Sequence, residues 1–498
     1  MMRKLALKLL LCTAGLCLAA CPDAFRGPQK PPTSALWLGS GVPAPEVSQL
    51  AQLQTAGVGE LFVEMARLEP DGKLVRLEPP DLPPATSATL AIAGDRSALV
   101  LDPDELAARV AAEGQQLRFY AEGRGLLPVG LHFDLVDLRP GELERYGAFL
   151  ARLRKRLDRT LFLSASVPRG WIELEELEAV TGAVDFVVAF LYGQRRDEEE
   201  DAAAWDFIRM QRGLERLEDL GVRYLAGLTT VGTATVMEKN GTVRGRTTRV
   251  SFTDLLWNRR LKLRAGFSLE GVNRQVYTLV AEQPVRLADL AVQKGELVRV
   301  MRPATSHLEE YMRLRGAWSL KNLLGQLYYR APAPDERLSL TVGNLINGLA
   351  SRPATPDLAV DANLQRGTGR GFLFRFTLTN RNDEVTELSL VDHNYLEVGT
   401  DRGRYGRVRV GDFFRFVLFR RQPDGSLEAT FRRADVIRLH LPMLEGGQSL
   451  TSGDVEIISS RQPVLTIRGR FILTDGRTLD VGPITWREGR VTAAPAAP

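Results

Sequence analysis

A histidine and an aspartate two residues apart on one apolar strand are the side chains best placed to do chemistry. In Val129-Gly-Leu-His-Phe-Asp-Leu-Val-Asp-Leu138, Leu131, Phe133 and Leu135 fall on one face of a strand and His132, Asp134 and Val136 on the other. A buried charge without a partner costs on the order of several kcal/mol. A strand this apolar therefore keeps such a pair either as a satisfied polar pair inside a barrel or as a functional site, and both readings stand. Asp137 points to the helices or onto the loop. Glu64, facing the same way as Phe62, and Asp95, just after another strand, are further acids. Glu64 and Asp134 have the makings of an acid and a base, with His132 as proton partner; a salt bridge or a hydrogen-bonded structural role is the alternative for each carboxylate. Trp37, Trp171 and Tyr192 lie at or near strand ends, where flat rings stack on sugar faces or pack a barrel mouth.

Holding these groups takes a βα unit. After the strand, Leu143, Tyr146, Leu150, Leu153 and Leu157 mark one face of an amphipathic helix over residues 140–157. The pattern repeats. Strands are expected at 35–39, 60–65, 88–93, 160–166, 184–192, 223–229 and 324–330. Helices fall at 46–56, 103–113 with Asp102 as N-cap, about 173–180, and 202–220. A hairpin-like excursion surrounds Asp71-Gly72. Repeated βα units with short loops predict a (β/α)8 TIM-like barrel over residues 35–334. A doubly wound open sheet is the competitor, and the chain has no glycine-rich dinucleotide fingerprint to support it.

A long insertion at about residues 231–316 carries Arg244, Arg246, Arg249, Arg259, Arg260, Lys262 and Arg264, and a turn at Lys239-Asn-Gly241. It reads as a solvated loop or small subdomain, with an anion-binding lid as the alternative. From residue 335 to 490 strands stand alone, among them the alternating Phe372, Phe374 and Phe376. Turns at Asn380-Arg-Asn-Asp383, Pro423-Asp-Gly425 and Asp475-Gly476 predict an all-β sandwich. The Ala/Pro tail at 491–498 reads as disordered.

The address is written at the N-terminus. Arg3 and Lys4 precede an apolar run from Leu5 to Leu18, and Leu18-Ala-Ala-Cys21 closes it as a lipobox would, predicting a signal over residues 1–21 with Cys21 as the lipidated residue. The run is shorter than the roughly 20 residues a membrane span needs. Residues 22–34, with Pro22, Pro28, Pro31 and Pro32, read as a tether. The expected place is the bacterial envelope, at the outer membrane facing periplasm or cell surface, with the lipid as the only membrane contact. All three cysteines lie within or at the end of this signal, which leaves the processed chain no disulfide and no thiolate metal site. Its 65 basic side chains fall to 62 once Arg3, Lys4 and Lys8 leave, against 61 acidic ones, and that balance argues against a nucleic-acid partner. His132, His307, His393 and His440 have no metal-ligand spacing, no cofactor motif occurs, and serine hydrolase, NTPase and zinc protease signatures are missing.

Gly130-Leu-His-Phe-Asp-Leu-Val136 resembles the framework of the chitinase-type family 18 glycoside hydrolases, whose strand ends in G-x-D-x-D-x-E. Tyr192 is similar to a strand-six tyrosine of that family, and Gly227-Leu-Thr-Thr-Val-Gly232 to its strand-seven segment. His132 replaces the first aspartate, Val136 the catalytic acid, and Gly193 the aspartate after the tyrosine, so Asp134 alone carries over. Over residues 35–334 the chain also resembles the uncharacterised bacterial family labelled domain of unknown function 3142. The likeness lies in the leading strand, the Phe-Asp strand with its Tyr146–Arg154 helix, Leu163-Ser-Ala-Ser-Val-Pro-Arg-Gly-Trp171 and Leu327-Tyr-Tyr-Arg330. The resemblance implies a barrel. Together with the residues it leads to the expectation of a lipid-anchored envelope protein that binds a polysaccharide or peptidoglycan-like glycan, with hydrolysis left open. Asp134, Glu64 and His132 would be its chemical groups, and Trp37, Trp171, Tyr192 and Asp95 its binding surface. A non-catalytic scaffold for protein interactions in the envelope is the alternative.

Overall fold

The computed structural model describes residues 33–94, 96–192, 205–264, 276–333, 335–350, 355–368, 371–388, 393–474 and 476–493. The lipobox with Cys21, most of the tether, Asp95 and Gly193 lie outside them. Two compact units make up the chain. Residues 1–230 with 318–334 form one, and residues 231–317 with 335–498 form the other.

The first unit is a closed ring of eight parallel strands: β1 (Ala35–Leu38), β2 (Glu60–Leu68), β3 (Thr86–Gly94), β4 (Leu126–Asp134), β5 (Phe162–Pro168), β6 (Phe186–Phe190), β7 (Tyr224–Thr229) and β8 (Leu323–Tyr329). Neighbours in sequence are neighbours in the ring, and β1 closes it by pairing Ala35 with Glu60 on one side and with Leu327 on the other. The expected barrel is therefore present, and the open-sheet alternative is not. A short antiparallel strand, Leu74–Arg76, folds back on β2 where the Asp71-Gly72 excursion is.

Alternation along each strand sorts the two sides. Ala35, Trp37, Phe62, Ala91, Phe186, Val188, Phe190, Leu225 and Leu327 pack into one interior cluster. Phe133 points the other way, edge-on to Phe149 of helix α3 (Leu143–Arg156) at 5.5 Å between ring centroids. The predicted stripe of that helix is buried at Leu143, Tyr146, Leu150 and Leu153, with Phe149 joining it. Each fully buried side chain of this size contributes about 1.5–3 kcal/mol. Earlier in the chain, α1 spans Val47–Thr55 and α2 spans Pro103–Gly123, ten residues longer than its apolar pattern showed. Asp102 caps α2 as expected, accepting from the amides of Asp104 (2.9 Å) and Glu105 (3.2 Å). The strand of the fourth unit ends at Asp134 rather than Leu138, so Val136 stands on the loop beyond it.

In the second unit the basic insertion is a packed subdomain rather than a solvated loop. Strands Thr233–Met237, Val243–Thr247, Leu261–Leu263, Val276–Ala281 and Leu297–Met301 form one antiparallel sheet. Their inner side chains share a core with Leu338 and Met443 from the C-terminal part. The later residues form an antiparallel five-stranded sheet and a seven-stranded sheet around Phe374, Phe376, Ile437, Leu439, Ile467 and Trp486, consistent with the expected sandwich. The expected turn at Pro423-Asp-Gly425 is there, closed by Gln422 and Ser426. Strands at Leu358–Thr368, Tyr395–Thr400 and Arg404–Val408 are additional to those predicted.

Candidate functional site

Parallel pairing fixes what faces what at the C-terminal mouth of the barrel. Strand β4 pairs with β5 so that His132 stands opposite Ser164. Because the side-chain period is two, Asp134 and Ser166 follow one step higher on the same inward face. His132 is fully buried, edge-on to Phe62 at 5.1 Å and to Trp37 at 5.5 Å. Its Nδ1 is 2.9 Å from the Ser164 hydroxyl and its Nε2 2.9 Å from the Ser166 hydroxyl. Ser166 in turn donates to Asp134 Oδ1 at 2.5 Å.

These distances define a directed chain. A serine has one hydroxyl proton, and an ionised Asp134 only accepts, so the Ser166 proton is committed to Asp134. Ser166 then accepts from Nε2–H of His132, and Nδ1 accepts from Ser164. Burial pushes the His132 pKa down to about 3, so the ring is neutral throughout the physiological range. The interior histidine is thus satisfied by two serines and does not touch Asp134 directly, as the polar pair of the first reading would. It has no proton to give to a ligand directly, and it reaches the mouth only through Ser166.

Asp134 is half-buried at the C-terminal end of β4. Loss of hydration raises its pKa to about 6, against the lowering effect of the Ser166 hydrogen bond and with the help of the negative charges of Glu64 and Asp137. Glu64 on β2 is half-buried as well, and its Oε2 accepts from the backbone N–H of Ser40 at 2.9 Å. Next to it is Gly39, where a Cβ would stand 3.7 Å from Glu64 Oε2 and 3.5 Å from Arg330 Cδ. The end of the barrel therefore gathers two carboxylates, from β2 and β4, and the Arg330 side-chain stem passes Gly39 close to Glu64. Thr230 donates to the Arg330 carbonyl at 2.5 Å and ties the end of β7 to β8. A carboxyl that titrates near pH 6, beside a second carboxylate, can hold or donate a proton to an oxygen of a bound molecule.

Of the two roles open to the aromatic residues, the structure shows packing. Trp171 is fully buried, edge-on to Tyr146 at 6.5 Å in the outer layer, and offers no free ring face. This corrects its assignment to a stacking surface: the 3-10 turn Arg169–Trp171 after β5 tucks the indole beneath the helices. Trp37 is 2% exposed, packed on Phe62, His132 and Tyr329, and Tyr192 is 8% exposed beside Phe190 and Tyr329. Both fill the barrel top. Gly227 makes room for this filling, since a Cβ there would come within 2.6 Å of Phe190 Cδ1.

Sequence reasoning passed over Ser164, Ser166 and Arg330. The serines were readable: Leu163-Ser-Ala-Ser166 has the same period of two as His132 and Asp134, on the adjoining strand. Arg330 carried no such signal, because only ring closure brings its side chain to Gly39.

No family model matches the chain, and no curated protein matches it either. Among solved structures it is similar to a chitinase from Chromobacterium violaceum, at 16% identity over 64% of this chain and 99% of that one, with a TM-score of 0.40. The spore cortex-lytic enzyme SleL of Bacillus cereus matches at 15% identity over 64% and 73%, TM-score 0.40. A GH18 chitinase from Cycas revoluta, in complex with (GlcNAc)3, matches at 13% over 64% and 96%, TM-score 0.37. At these scores the likeness transfers no residue role and no substrate.

Proposed function

We propose that this chain is a lipid-anchored bacterial envelope protein whose barrel mouth binds a carbohydrate, with Asp134 as the group that exchanges a proton with it. The observation that carries the reading is the pairing of Asp134, held by Ser166, with Glu64 at the C-terminal end of a closed parallel barrel, the end where such folds place their chemistry. Sugar hydroxyls both donate and accept, and two carboxylates complement their donors. The anchor rests on Leu18-Ala-Ala-Cys21 and the apolar run before it, and the envelope location on that anchor.

Hydrolysis asks for more. Val136, half-buried on the loop after β4, has no proton to give, so an acid role falls to Asp134 and a second carboxylate role to Glu64.

The test is a glycan array and a hydrolysis screen on the soluble chain that begins after Thr33, beside Asp134→Asn. Binding of at least one glycan, weakened about tenfold or more in the variant, is expected from loss of a charged hydrogen-bonding group. Equal binding and turnover in the two proteins would remove Asp134 from the account. One observation favours a second reading, a docking scaffold without a ligand: Trp37, Tyr192 and Trp171 are all committed to packing. That reading gains if no glycan binds either protein.

A further inference from the structure

At the N-terminal end of the barrel, away from Asp134, residues of helix α1, of 58–61 at the start of β2 and of 83–87 at the start of β3 line a cavity of about 310 Å³. Its lining is largely apolar, with Leu50, Val58, Leu61, Pro83 and Pro84 among the residues, and Val47, also part of it, is 69% exposed. A volume of this size lies at the small end of the roughly 300–1,000 Å³ range of cavities that hold a small molecule. Two features set it apart from a gap in the packing. One is Ala85, a lining residue with φ of 63°, in the left-handed region that a Cβ disfavours, whose amide donates to the Gly125 carbonyl at 2.7 Å. Backbone of this kind gathers at ligand sites. The other is Glu60.

Glu60 and Ser87 both line the cavity, and the Ser87 hydroxyl donates to Glu60 Oε2 at 2.8 Å while the Thr89 hydroxyl donates to Oε1 at 3.3 Å. Glu60 is 8% exposed. No lysine, arginine, histidine or second acid lines the cavity, and among the described residues no charge of a neighbouring element acts on this carboxyl. Burial pushes its pKa up to about 7. A carboxylate has about four acceptor positions. The two hydroxyls and the Thr89 amide leave one of them open. A buried carboxylate without an opposite charge is costly, and an ammonium group supplies both that charge and an N–H. A hard metal ion takes about six or more oxygen ligands, and the side chains here offer a single carboxylate. Apolar walls around one acid and no base are complementary to an organic cation.

We infer that this cavity is a binding site for a small primary amine with an apolar body, whose ammonium group pairs with Glu60 while its alkyl part packs against α1, Pro83 and Pro84. The site is independent of the barrel mouth and stands whether or not the mouth binds a glycan.

The experiment is a calorimetric titration of the full chain at pH 8, where Glu60 is ionised, with n-hexylamine, and with 1-hexanol and hexanoate as the neutral and anionic counterparts of the same body. Saturable binding of the amine is expected, about tenfold or more tighter than that of the alcohol or of hexanoate. It should weaken about tenfold at pH 6, where the carboxyl has taken up its proton. Glu60→Gln should remove the preference for the amine over the alcohol. Ala51→Trp, at an exposed position of α1 that lines the cavity, fills the space and should weaken binding about tenfold. Asp134→Asn should leave it unchanged, which separates this site from an amine held by the carboxylates of the mouth. Absence of saturable amine binding, equal binding of 1-hexanol, an amine preference that survives Glu60→Gln, unchanged binding in Ala51→Trp, or loss of binding in Asp134→Asn would each overturn the inference.

Discussion

At Asp134 the environment and the chemistry meet in one number. Its pKa of about 6 is a balance between lost hydration and the Glu64 charge on one side and the Ser166 hydroxyl on the other. Glu64→Gln should lower it and Ser166→Ala should raise it, as read by carboxyl carbon titration in NMR; no movement in either variant would disconnect the three groups. Stability follows from the same kind of shift. Glu60, buried beneath Ser87 and Thr89 on β2, has its pKa raised by desolvation from 4.5 to about 7. Between those values the folded chain holds a proton that the unfolded chain has released, so stability falls as pH rises through the window. Asp134 has the same sign from 3.8 to about 6. His132 has the opposite sign: the unfolded ring protonates below 6.5 and the folded ring only near 3, so its contribution is lost as pH falls. Above pH 6.5 Glu60 is left to dominate among the three. Glu60→Gln should therefore raise the melting temperature at pH 8, by an amount on the order of 2 kcal/mol of stability, and leave it nearly unchanged at pH 5. A gain at pH 5 as large as at pH 8 would show that the carboxyl is not titrating there.

Single elements were the part of the molecule most open to reading. Strand β4 with helix α3 was legible because its period changes from two to three and a half within a few residues, and the structure buries the predicted helix stripe. Helix α2 was legible at its start and not at its end. Asp102 and Pro103 announce the N-terminus, whereas Gly114 and Gly123 with a polar second half conceal the continuation to Gly123. Asp102→Ala should cost about 1 kcal/mol by removing the carboxylate that accepts from two amides, seen as a lower melting temperature with unchanged barrel secondary structure. The aromatics show where element-level reading stops. A tryptophan at a strand end is read the same way whether its ring opens to the mouth or turns under the helices, and only tertiary packing separates Trp171 from a surface residue.

For the whole molecule, ring closure was foreseeable from eight repeats, while the partnership of the insertion was not. Residues 231–317 share a core with residues far ahead in sequence, and periodicity carries no information on such pairings. Met443 and Leu338 fill that core, and the buried Glu445 accepts from the Ser251 hydroxyl at 2.6 Å and the Phe252 amide at 3.0 Å, at the start of the helix Phe252–Trp257. Glu445→Ala leaves those donors unanswered and should destabilise the second unit by about 2–4 kcal/mol, with faster amide exchange at Phe252 and Thr253. Unchanged exchange there would mean that the insertion holds itself together. The barrel, by the same view of the whole, is a rigid ring that brings β1, β2, β4 and β8 to one opening, and its proposed use rests on what Asp134 does there. The most direct measurement is the pH dependence of affinity for whichever glycan binds most tightly. A break near pH 6 in the unaltered protein that disappears in Asp134→Asn is expected, and a profile that is flat, or that breaks identically in both proteins, would contradict the account.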